Sequence, residues 1–391
     1  MSKINELYTR LATFSVFNGI FEKTIFKKFQ EYVKECQGDE KIKKYGEFVN
    51  NLYNHGADLT AYVKRIAFED ANVYVKAVSA KKPINPNIEK AVEYELDTLS
   101  DFASLTKNDF ALDMGYDGIL PSFDSYKIDL LSEYQTRLKS IEKYGYGIFT
   151  ANCMFSVTDT GAVVPVATAD ETTIADFIGY KEERQRVIDN TLAFLEGRNA
   201  ANILLYGDAG TGKSSTVKAV ANHFFDEGLR LVEIRKTQLL LLPKVMAEIS
   251  KNPLKFIIFI DDLSFNKNDD NFSMLKATLE GSASAKAKNA VIYATSNRRH
   301  IVKESFGERE GNDIHRNDTI QETLSLSERF GLTIRFAKPE KKLYLEIIHE
   351  LAARHGVTMD QNELDIKAEA FALNRGYRSA RCAEQFIKSL L

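Results

Sequence analysis

The amino-acid sequence predicts a mostly α-helical N-terminal domain, followed by an α/β domain with a five-stranded parallel sheet and helices on both faces. Before residue 144, apolar residues recur three and four positions apart, which is the spacing of one helix face. After residue 176, short apolar runs alternate with helical segments, which is typical of a parallel sheet. The predicted parts are 1–144 (helical), 145–175 (a β-hairpin connector), 176–337 (α/β) and 338–391 (a helical lid).

Composition and charge exclude several classes of protein. The net charge is -3 and 27 % of the residues are charged, so no overall basic excess indicates binding to nucleic acid or to a membrane surface. Three widely separated cysteines, Cys36, Cys153 and Cys382, form neither a disulfide framework nor a metal-binding spacing. No run reaches the roughly 18 to 20 apolar residues of a membrane span, and the charged N-terminus differs from a signal sequence. We therefore expect a cytoplasmic protein.

The first domain shows helical periodicity without a recognisable catalytic constellation. Ile4, Leu7 and Leu11 share one helix face, and a second set begins at Ile88 after a break that contains two prolines. The single histidine of this region, His55, is interpreted as structural. The role of the domain stays open.

The connector is predicted to be a β-hairpin. Met154–Val157 and Val163–Ala167 are short β-type runs separated by a Thr-Asp-Thr-Gly turn. The segment Asp176–Tyr180 comes next, and a helix is predicted from about Lys181 to Leu195 because its apolar residues have helical spacing.

The stretch Asn202–Ser215, NILLYGDAGTGKSS, predicts a phosphate-binding loop. An apolar strand ends in a glycine-rich turn, and the following helix directs its positive end and its backbone N–H groups at the same point. Lys213 is predicted to contact the β- and γ-phosphates of a nucleotide, and Ser214 to bind Mg²⁺. The predicted nucleotide-binding residues of the loop are Gly207, Asp208, Ala209, Gly210, Thr211, Gly212, Lys213, Ser214 and Ser215.

Two acidic residues follow a later strand. Leu229–Ile234 and Phe256–Ile260 are predicted strands, with a helix between them at Gln238–Ile249. Five consecutive apolar residues indicate that the second of these strands is buried on both faces. Carboxylates at its carboxyl end lie where ligands bind in open α/β sheets. Asp261 is predicted to hold Mg²⁺ through its water shell, and Asp262 to point toward the attacking water.

The remaining elements complete the sheet and add the lid. Strands are predicted at Ala290–Ala294 and Leu332–Phe336, and helical segments continue from Glu340 to the last residue. The charged stretch between the two strands, Lys303–Thr323, is interpreted as an exposed insertion, with a role in gripping a substrate as the alternative.

These motifs, in this order, resemble those of the AAA+ ATPases over about residues 170 to 391. The resemblance implies ATP and Mg²⁺ as ligands. It also implies that Asn297 hydrogen-bonds the lytic water or the γ-phosphate, and that Arg329, in the segment Ser327–Phe330, reaches the nucleotide of a neighbouring subunit. A sensor arginine in the lid is implied at Arg378 or Arg381, which lie nearly one helical turn apart and could both face the nucleotide.

The segment before the first predicted helix of the α/β domain has two interpretations. Ile178, Gly179 and Tyr180 are predicted to lie against an adenine ring. The alternative is a domain linker packed on the sheet, and the two interpretations are compatible.

Longer strings resemble one bacterial family. LLYGDAGTGKSSTVKA, FIDDLSF, IYATSNRRH and LSLSERFGL are similar to the ATP-binding family known as domain of unknown function 815, and the likeness extends upstream to about residue 144. The Asp-Asp pair and the Arg-Phe-Gly-Leu string are also similar to replication initiators and helicase loaders. Most AAA+ ATPases carry Glu where this chain has Asp262, which is shorter by about 1.5 Å. We therefore expect hydrolysis that is slow or depends on a partner.

Three functions are compatible with these motifs. The first is Mg²⁺-dependent ATP hydrolysis that remodels a protein or a protein–nucleic acid complex. The alternative is a slow-turnover, ATP-dependent switch or loader that recruits a partner. The third, a DNA-associated, initiator-like ATPase, rests on analogy and on basic residues such as Arg298, Arg299 and Lys303. We expect a homo-oligomer with an unidentified protein partner, no membrane, and nucleic acid only by analogy.

Overall fold

The structure is a computed structural model, and the chain divides into two compact units. The N-terminal unit comprises Met1–Ala151 with Lys251–Pro253, and the C-terminal unit comprises Asn152–Ser250 with Leu254–Leu391. Within the described ranges, no helix is long and apolar enough to cross a membrane. The residues that the structure describes are 2–35, 38–264, 270–279, 287–297 and 329–391.

The N-terminal unit is built from helices, which confirms the predicted helical region. Several helices begin or end where the sequence supplies a cap: Thr106 and Asp109 form a capping box, and Gly115 closes the same helix at φ 62°. The helices are α1 (Lys3–Leu11), α2 (Thr24–Lys34), α3 (Asp39–Tyr53), α4 (Leu59–Glu69), α5 (Val73–Ser79), α6 (Pro86–Ala103), α7 (Lys107–Met114), α8 (Leu130–Leu138) and α9 (Ile141–Tyr144).

Aromatic rings and one buried carboxylate organise this unit. The ring of Phe102 stacks on Phe26 with centroids 4.9 Å apart and meets Phe29 edge-on at 4.8 Å. Glu95 on α6 is only 1 % exposed. Its carboxylate accepts hydrogen bonds from the backbone N–H groups of 15–17, at distances from 2.7 to 3.1 Å, and from the hydroxyl of Ser15. The turn after α1 is therefore tied to α6 by a buried negative charge.

The C-terminal unit is built on a seven-stranded sheet in the order β2-β1-β4-β5-β6-β3-β7. The strands are β1 (Met154–Val157), β2 (Val163–Pro165), β3 (Ile203–Gly207), β4 (Leu229–Glu233), β5 (Lys255–Ile260), β6 (Ala290–Ser296) and β7 (Leu332–Phe336). The five predicted parallel strands are present as β3 to β7. The hairpin is not a separate connector, because β1 pairs in parallel with β4 and β2 pairs antiparallel with β1. The hairpin therefore covers an edge of the sheet that would otherwise be unpaired.

Strand register brings three strand ends to one edge of the sheet. Tyr206 on β3 pairs with Ser296 on β6, and Ile260 on β5 pairs with Ala294 on β6. The residues that follow β3, β5 and β6 are consequently neighbours in space. The helices around the sheet are α10 (Lys181–Leu195), α11 (Lys213–His223), α12 (Leu242–Ile249) and α13 (Asp270–Leu279).

The chain ends in three helices that form the lid. Asp360 caps the start of the second helix, Gly376 ends it at φ 77°, and Ser379 caps the third. Their apolar faces bury one another, with Tyr344, Ala368 and Phe386 at the centre. The lid helices are α14 (Lys341–Arg354), α15 (Gln361–Arg375) and α16 (Ala380–Lys388).

Replacement of Glu95 by Ala is expected to destabilise the protein by about 3 to 5 kcal/mol, because buried backbone N–H groups would lose a charged acceptor. Glu93→Ala is the matched control, since Glu93 is an exposed residue of the same helix, and we expect a change of at most about 0.5 kcal/mol. Urea denaturation followed by far-UV circular dichroism measures both. Equal losses for the two variants would contradict the role given to Glu95.

Candidate functional site

The turn between β3 and α11 follows a backbone path that requires glycine. Gly207 has a φ of 137°, and a Cβ at this position would lie 2.0 Å from the carbonyl oxygen of Phe336 on β7. Gly212, at φ 89°, is the N-cap of α11. The first N–H groups of α11 have no partner within the helix and carry the positive end of its dipole, so the turn stabilises an anion.

Lys213, the first residue of α11, is a buried cation with uncharged partners. It is 6 % exposed. Its ammonium donates to the carbonyl oxygens of Gly207 at 2.9 Å and Asp208 at 2.7 Å, and to Oδ1 of Asn297 at 3.2 Å. Burial lowers the pKa of Lys213, and nearby carboxylates oppose that shift. A cation held in this way favours the approach of an anionic ligand.

A single carboxylate oxygen joins the loop helix to two strand ends. Oδ1 of Asp261 accepts hydrogen bonds from the Ser214 hydroxyl at 2.6 Å and from the Thr295 hydroxyl at 2.5 Å. Hydroxyl and carboxylate oxygens are ligands that Mg²⁺ prefers. The described residues contain no group of three or more His, Cys, Asp or Glu side chains arranged to hold a metal ion. A Mg²⁺ ion here would therefore take most of its ligands from water and phosphate, as Mg²⁺ commonly does.

Asp262 has an unusual backbone conformation and a defined orientation. Its φ is 50°, in the left-handed region that Asp tolerates better than most residues. Its N–H donates to the Thr295 hydroxyl at 3.0 Å, and its Oδ1 accepts from Nδ2 of Asn297 at 2.9 Å. Asn297 thus links Asp262 to Lys213. The backbone gives a local reason for Asp at this position instead of the longer Glu.

These groups open into one cavity of about 720 Å³, a volume within the range of small-molecule sites. The loop contributes 209–215, and the strand ends contribute Asp261, Asp262 and Asn297. All of these residues were predicted from the sequence. The oxygen pair, the buried ammonium and the helix terminus fit Mg²⁺ and a polyphosphate, because each ligand meets complementary charge.

The lid completes the cavity through the start of α16. The backbone N–H of Arg381 donates to the carbonyl oxygen of Gly210 at 3.2 Å. A Cβ on Gly210 would lie 3.0 Å from the Ser379 hydroxyl, so glycine permits this close approach. Arg381 lines the cavity. Arg378 does not, since its guanidinium donates to both carboxylate oxygens of Glu369 at 2.9 and 2.6 Å. Of the two predicted sensor arginines, the structure brings only Arg381 to the cavity.

The segment before α10 contributes one of its three predicted residues to the cavity lining. Ile178 lines the cavity, but Gly179 and Tyr180 do not. Tyr180 adopts a left-handed φ of 48°, its ring stacks on Phe336 with centroids 5.5 Å apart, and its hydroxyl donates to the carbonyl oxygen of Ala337. The prediction of Tyr180 as an adenine contact is therefore replaced by a packing role. Gly179 lies against Leu343 of the lid.

Three further predicted residues lie outside the cavity lining: Gly207, which packs on β7, Asp208 and Arg329. The carboxylate of Asp208 accepts from the backbone N–H of Lys338 at 3.0 Å, which ties the loop to the start of the lid. Arg329 precedes β7, whose first residue, Leu332, pairs with Ile203 at the start of β3. Arg329 therefore lies near the amino ends of these two strands, whereas the phosphate loop follows the carboxyl end of β3.

Several predicted features lie outside the described residues. They are Cys36, Arg298, Arg299, the stretch 303–323, Ser327 and Glu328.

Sequence reasoning missed other residues of the cavity. Phe177, Arg184, Thr295 and Arg354 line it. Arg354 of α14 donates to the carbonyl oxygens of Ala175 and Asp176 at 3.2 and 2.9 Å. Two of these had a sequence signal: Thr295 lies at the end of an apolar strand, and Phe177 lies within the segment Asp176–Tyr180. Arg184 and Arg354 reach the cavity by the packing of separate helices.

The strand order, with β3 between β6 and β7, the glycine turn leading into α11, the acidic pair after β5 and the helical lid define a P-loop ATPase fold of the AAA+ class. The family model described as "Protein of unknown function (DUF815)" matches residues 150–391. That is more than half of the chain, and the chain belongs to this family.

Solved structures similar to the chain include the Thermotoga maritima RuvB Holliday junction branch migration motor, at 17 % identity and a TM-score of 0.37, over 55 % of this chain and 63 % of that one. Two variants of the same motor show 16 and 18 % identity and TM-scores of 0.37 and 0.38, over 55 % of this chain and 63 and 64 % of theirs. The chain thus spans less than two thirds of these proteins. No curated protein matches it.

Gly207→Ala is expected to destabilise the protein by about 3 kcal/mol or more, because the new Cβ would displace the backbone of β7 as well as strain its own. Gly197→Ala is the control: Gly197 also has a positive φ, 73°, but nothing lies within 4 Å of its added Cβ. We expect Gly197→Ala to lower the free energy of unfolding by about 1 kcal/mol. Urea denaturation measures the difference, and equal effects would show that close approach to Phe336 is unimportant.

Proposed function

We propose that the chain binds ATP with Mg²⁺ and hydrolyses it. The observation that carries this proposal is the convergence, in one cavity, of a buried Lys213, the Ser214–Asp261 oxygen pair and the Asp262–Asn297 pair. These groups come from two strand ends, those of β5 and β6, and from one helix terminus, that of α11. Each has the charge and the chemistry that phosphoryl transfer uses.

Lys213 and the N-terminus of α11 would bind the phosphates. The ammonium has weak carbonyl and amide acceptors in this structure, and phosphate oxygens are stronger, charged acceptors. Replacement of the carbonyl and amide acceptors by phosphate oxygens would compensate for the burial that lowers the pKa of Lys213. The same interaction with phosphate would keep the lysine protonated in the complex.

Ser214 and Asp261 would hold Mg²⁺, and the Thr295 hydroxyl would keep the carboxylate of Asp261 oriented. When bound, Mg²⁺ neutralises charge on the phosphates. Asp262 would accept a proton from the attacking water. Asn297 supports that role because its amide fixes the direction of the Asp262 carboxylate.

Arg329 would serve the site of a neighbouring subunit. β7 is five residues long, so its two ends are roughly 13 to 17 Å apart. The arginine lies beyond the start of β7 and the phosphate loop lies beside its end, which argues against a contact within one chain. We therefore infer a homo-oligomer in which an arginine stabilises charge in trans.

The cycle would remodel a protein or a protein–nucleic acid complex in the cytoplasm. The contact between Gly210 and Arg381 supports coupling of the nucleotide to the lid. A change at the phosphates would thereby alter the lid, and through it the neighbouring subunit or an unidentified protein partner.

A second candidate is a slow ATP-dependent switch that recruits a partner. The observation that favours it is that Asn297 engages both Lys213 and Asp262, so Lys213 must exchange this amide acceptor for a phosphate before it can act. Turnover slower than about one per minute, with tight binding, is its signature. Rapid turnover of the purified protein alone would exclude it.

Lys213→Ala is expected to weaken ATP binding by about 100-fold or more, because a buried ammonium makes several charged contacts. Asp262→Asn is expected to retain binding, since Asn also tolerates a left-handed backbone, and to lower hydrolysis by about 100-fold or more. Phosphate release at saturating Mg-ATP measures the second effect. Lys218→Ala is the control, because Lys218 lies on the same helix and pairs with Glu233 outside the cavity.

If phosphate release were the same for wild type and Lys213→Ala, at concentrations that allow assembly, hydrolysis at this site would be refuted. If Asp262→Asn matched a slow wild type while both bound ATP tightly, the switch would be favoured over the hydrolase.

Mixing two inactive variants tests the shared site. Arg329→Ala alone is expected to lose about 1,000-fold in turnover, and Lys213→Ala alone lacks bound ATP. In mixed oligomers, a subunit with Arg329→Ala receives the intact arginine of a neighbour with Lys213→Ala, so activity should return. A mixture with no more activity than its components would contradict a trans role.

A further inference from the structure

Arg184, in the first turn of α10, is a buried cation in the cavity that the catalytic roles above do not use. It is 6 % exposed and lines the cavity. Its guanidinium lies over the ring of Phe177, 5.0 Å from the ring centroid, and its Nη2 donates to the carbonyl oxygen of Gly179. The side chain is therefore held in a fixed plane by a ring on one face and a carbonyl at one edge.

Among the described residues no carboxylate forms an ion pair with Arg184, and the nearby Glu183 carboxylate only partly opposes the effect of burial on its charge. Burial lowers the pKa of Arg184, and a buried charge is costly unless hydrogen bonds compensate for it. A guanidinium has five N–H donors. One of them binds Gly179 and the side chain lines the cavity, so further donors are available to a ligand. Such donors favour a ligand with acceptor atoms.

Two neighbours connect Arg184 to the rest of the cavity. The ring of Phe177 lies 3.8 Å from the point where a Cβ on Gly212 would stand, so Phe177 borders the phosphate loop. Arg184 donates to Gly179, which in turn lies against Leu343 of the lid. Arg184 is thus connected to the phosphate loop through Phe177 and to the lid through Gly179, and it forms no hydrogen bond to the loop residues themselves, all of which the structure describes.

We propose that Arg184 contacts the base of the bound nucleotide and donates to a ring nitrogen of adenine. The inference rests on the proposed function, and it takes the base of a nucleotide whose phosphates lie on the loop to extend toward Arg184. Phe177 holds the guanidinium plane, and the carbonyl of Gly179 uses one of its edges. Arg184 is accordingly a base-binding residue, and its removal weakens binding of the base without affecting binding of the phosphates.

The first test compares ligands with and without a base. Mg-ATP and Mg-ribose 5-triphosphate are titrated into wild type, Arg184→Met and Arg186→Met. Arg184→Met should weaken ATP binding by about tenfold to a hundredfold, as for a lost hydrogen bond to a charged donor, and leave the base-free ligand unchanged. Arg186 is an exposed residue of the same helix outside the cavity, and its variant should bind both ligands like wild type.

A second measurement needs no variant and so does not depend on the folding of Arg184→Met. Wild type is titrated with the 1-deaza, 3-deaza and 7-deaza analogues of ATP, each of which lacks one ring-nitrogen acceptor. One analogue should bind wild type more weakly than ATP does, by about the factor by which Arg184→Met weakens ATP binding. The same analogue should bind Arg184→Met no more weakly than ATP binds that variant.

The outcomes separate this inference from the function on which it rests. Wild type that binds neither ATP nor ribose 5-triphosphate would refute the proposed function and the inference together. Three outcomes would refute the base contact alone. Arg184→Met could lose the same affinity for ATP and for ribose 5-triphosphate, or it could keep its affinity for ATP. Alternatively, wild type could bind all three deaza analogues as tightly as it binds ATP.

Discussion

The site depends on the parallel pairing of β3 with β6 and β7. Gly207 pairs with Phe336 and Tyr206 with Ser296, so the phosphate loop begins where the neighbouring strands end. The pairing of Ile260 with Ala294 places Asp261 beside Thr295 in the same way. A slip of one residue would turn these side chains to the opposite face. Strand register therefore assembles residues that lie far apart in the chain.

The charges at this edge are only partly neutralised within the chain. Asp261 is shared by two hydroxyl donors, whereas Lys213 is buried against carbonyl and amide oxygens. The two lid arginines also differ in how their charge is neutralised. The guanidinium of Arg378 is paired with Glu369, whereas Arg381 lines the cavity. The arrangement is one in which a polyanion with a divalent cation satisfies both signs of charge at once.

The fold could be predicted from the sequence because its signals are local. Continuous apolar runs marked the buried strands, and glycines at a fixed spacing marked the turn before α11. The pairing of β1 with β4 had no such signal, because it depends on segments distant in sequence. The site was predictable where residues follow strand ends. It was not predictable where the packing of a helix brings a side chain to the cavity, as for Arg184, or where the backbone conformation turns a side chain away from the cavity, as for Tyr180.

The proposed function depends on the binding of ATP together with Mg²⁺ at the carboxyl ends of β3, β5 and β6. The most direct test is an equilibrium titration of ATP, with and without Mg²⁺, into wild type and Ser214→Ala. Mg²⁺ is expected to strengthen ATP binding to wild type, and Ser214→Ala is expected to lose most of this effect while it still binds ATP. An equal effect of Mg²⁺ on the two proteins, or no ATP binding by wild type, would contradict Mg²⁺-dependent binding of ATP at this site.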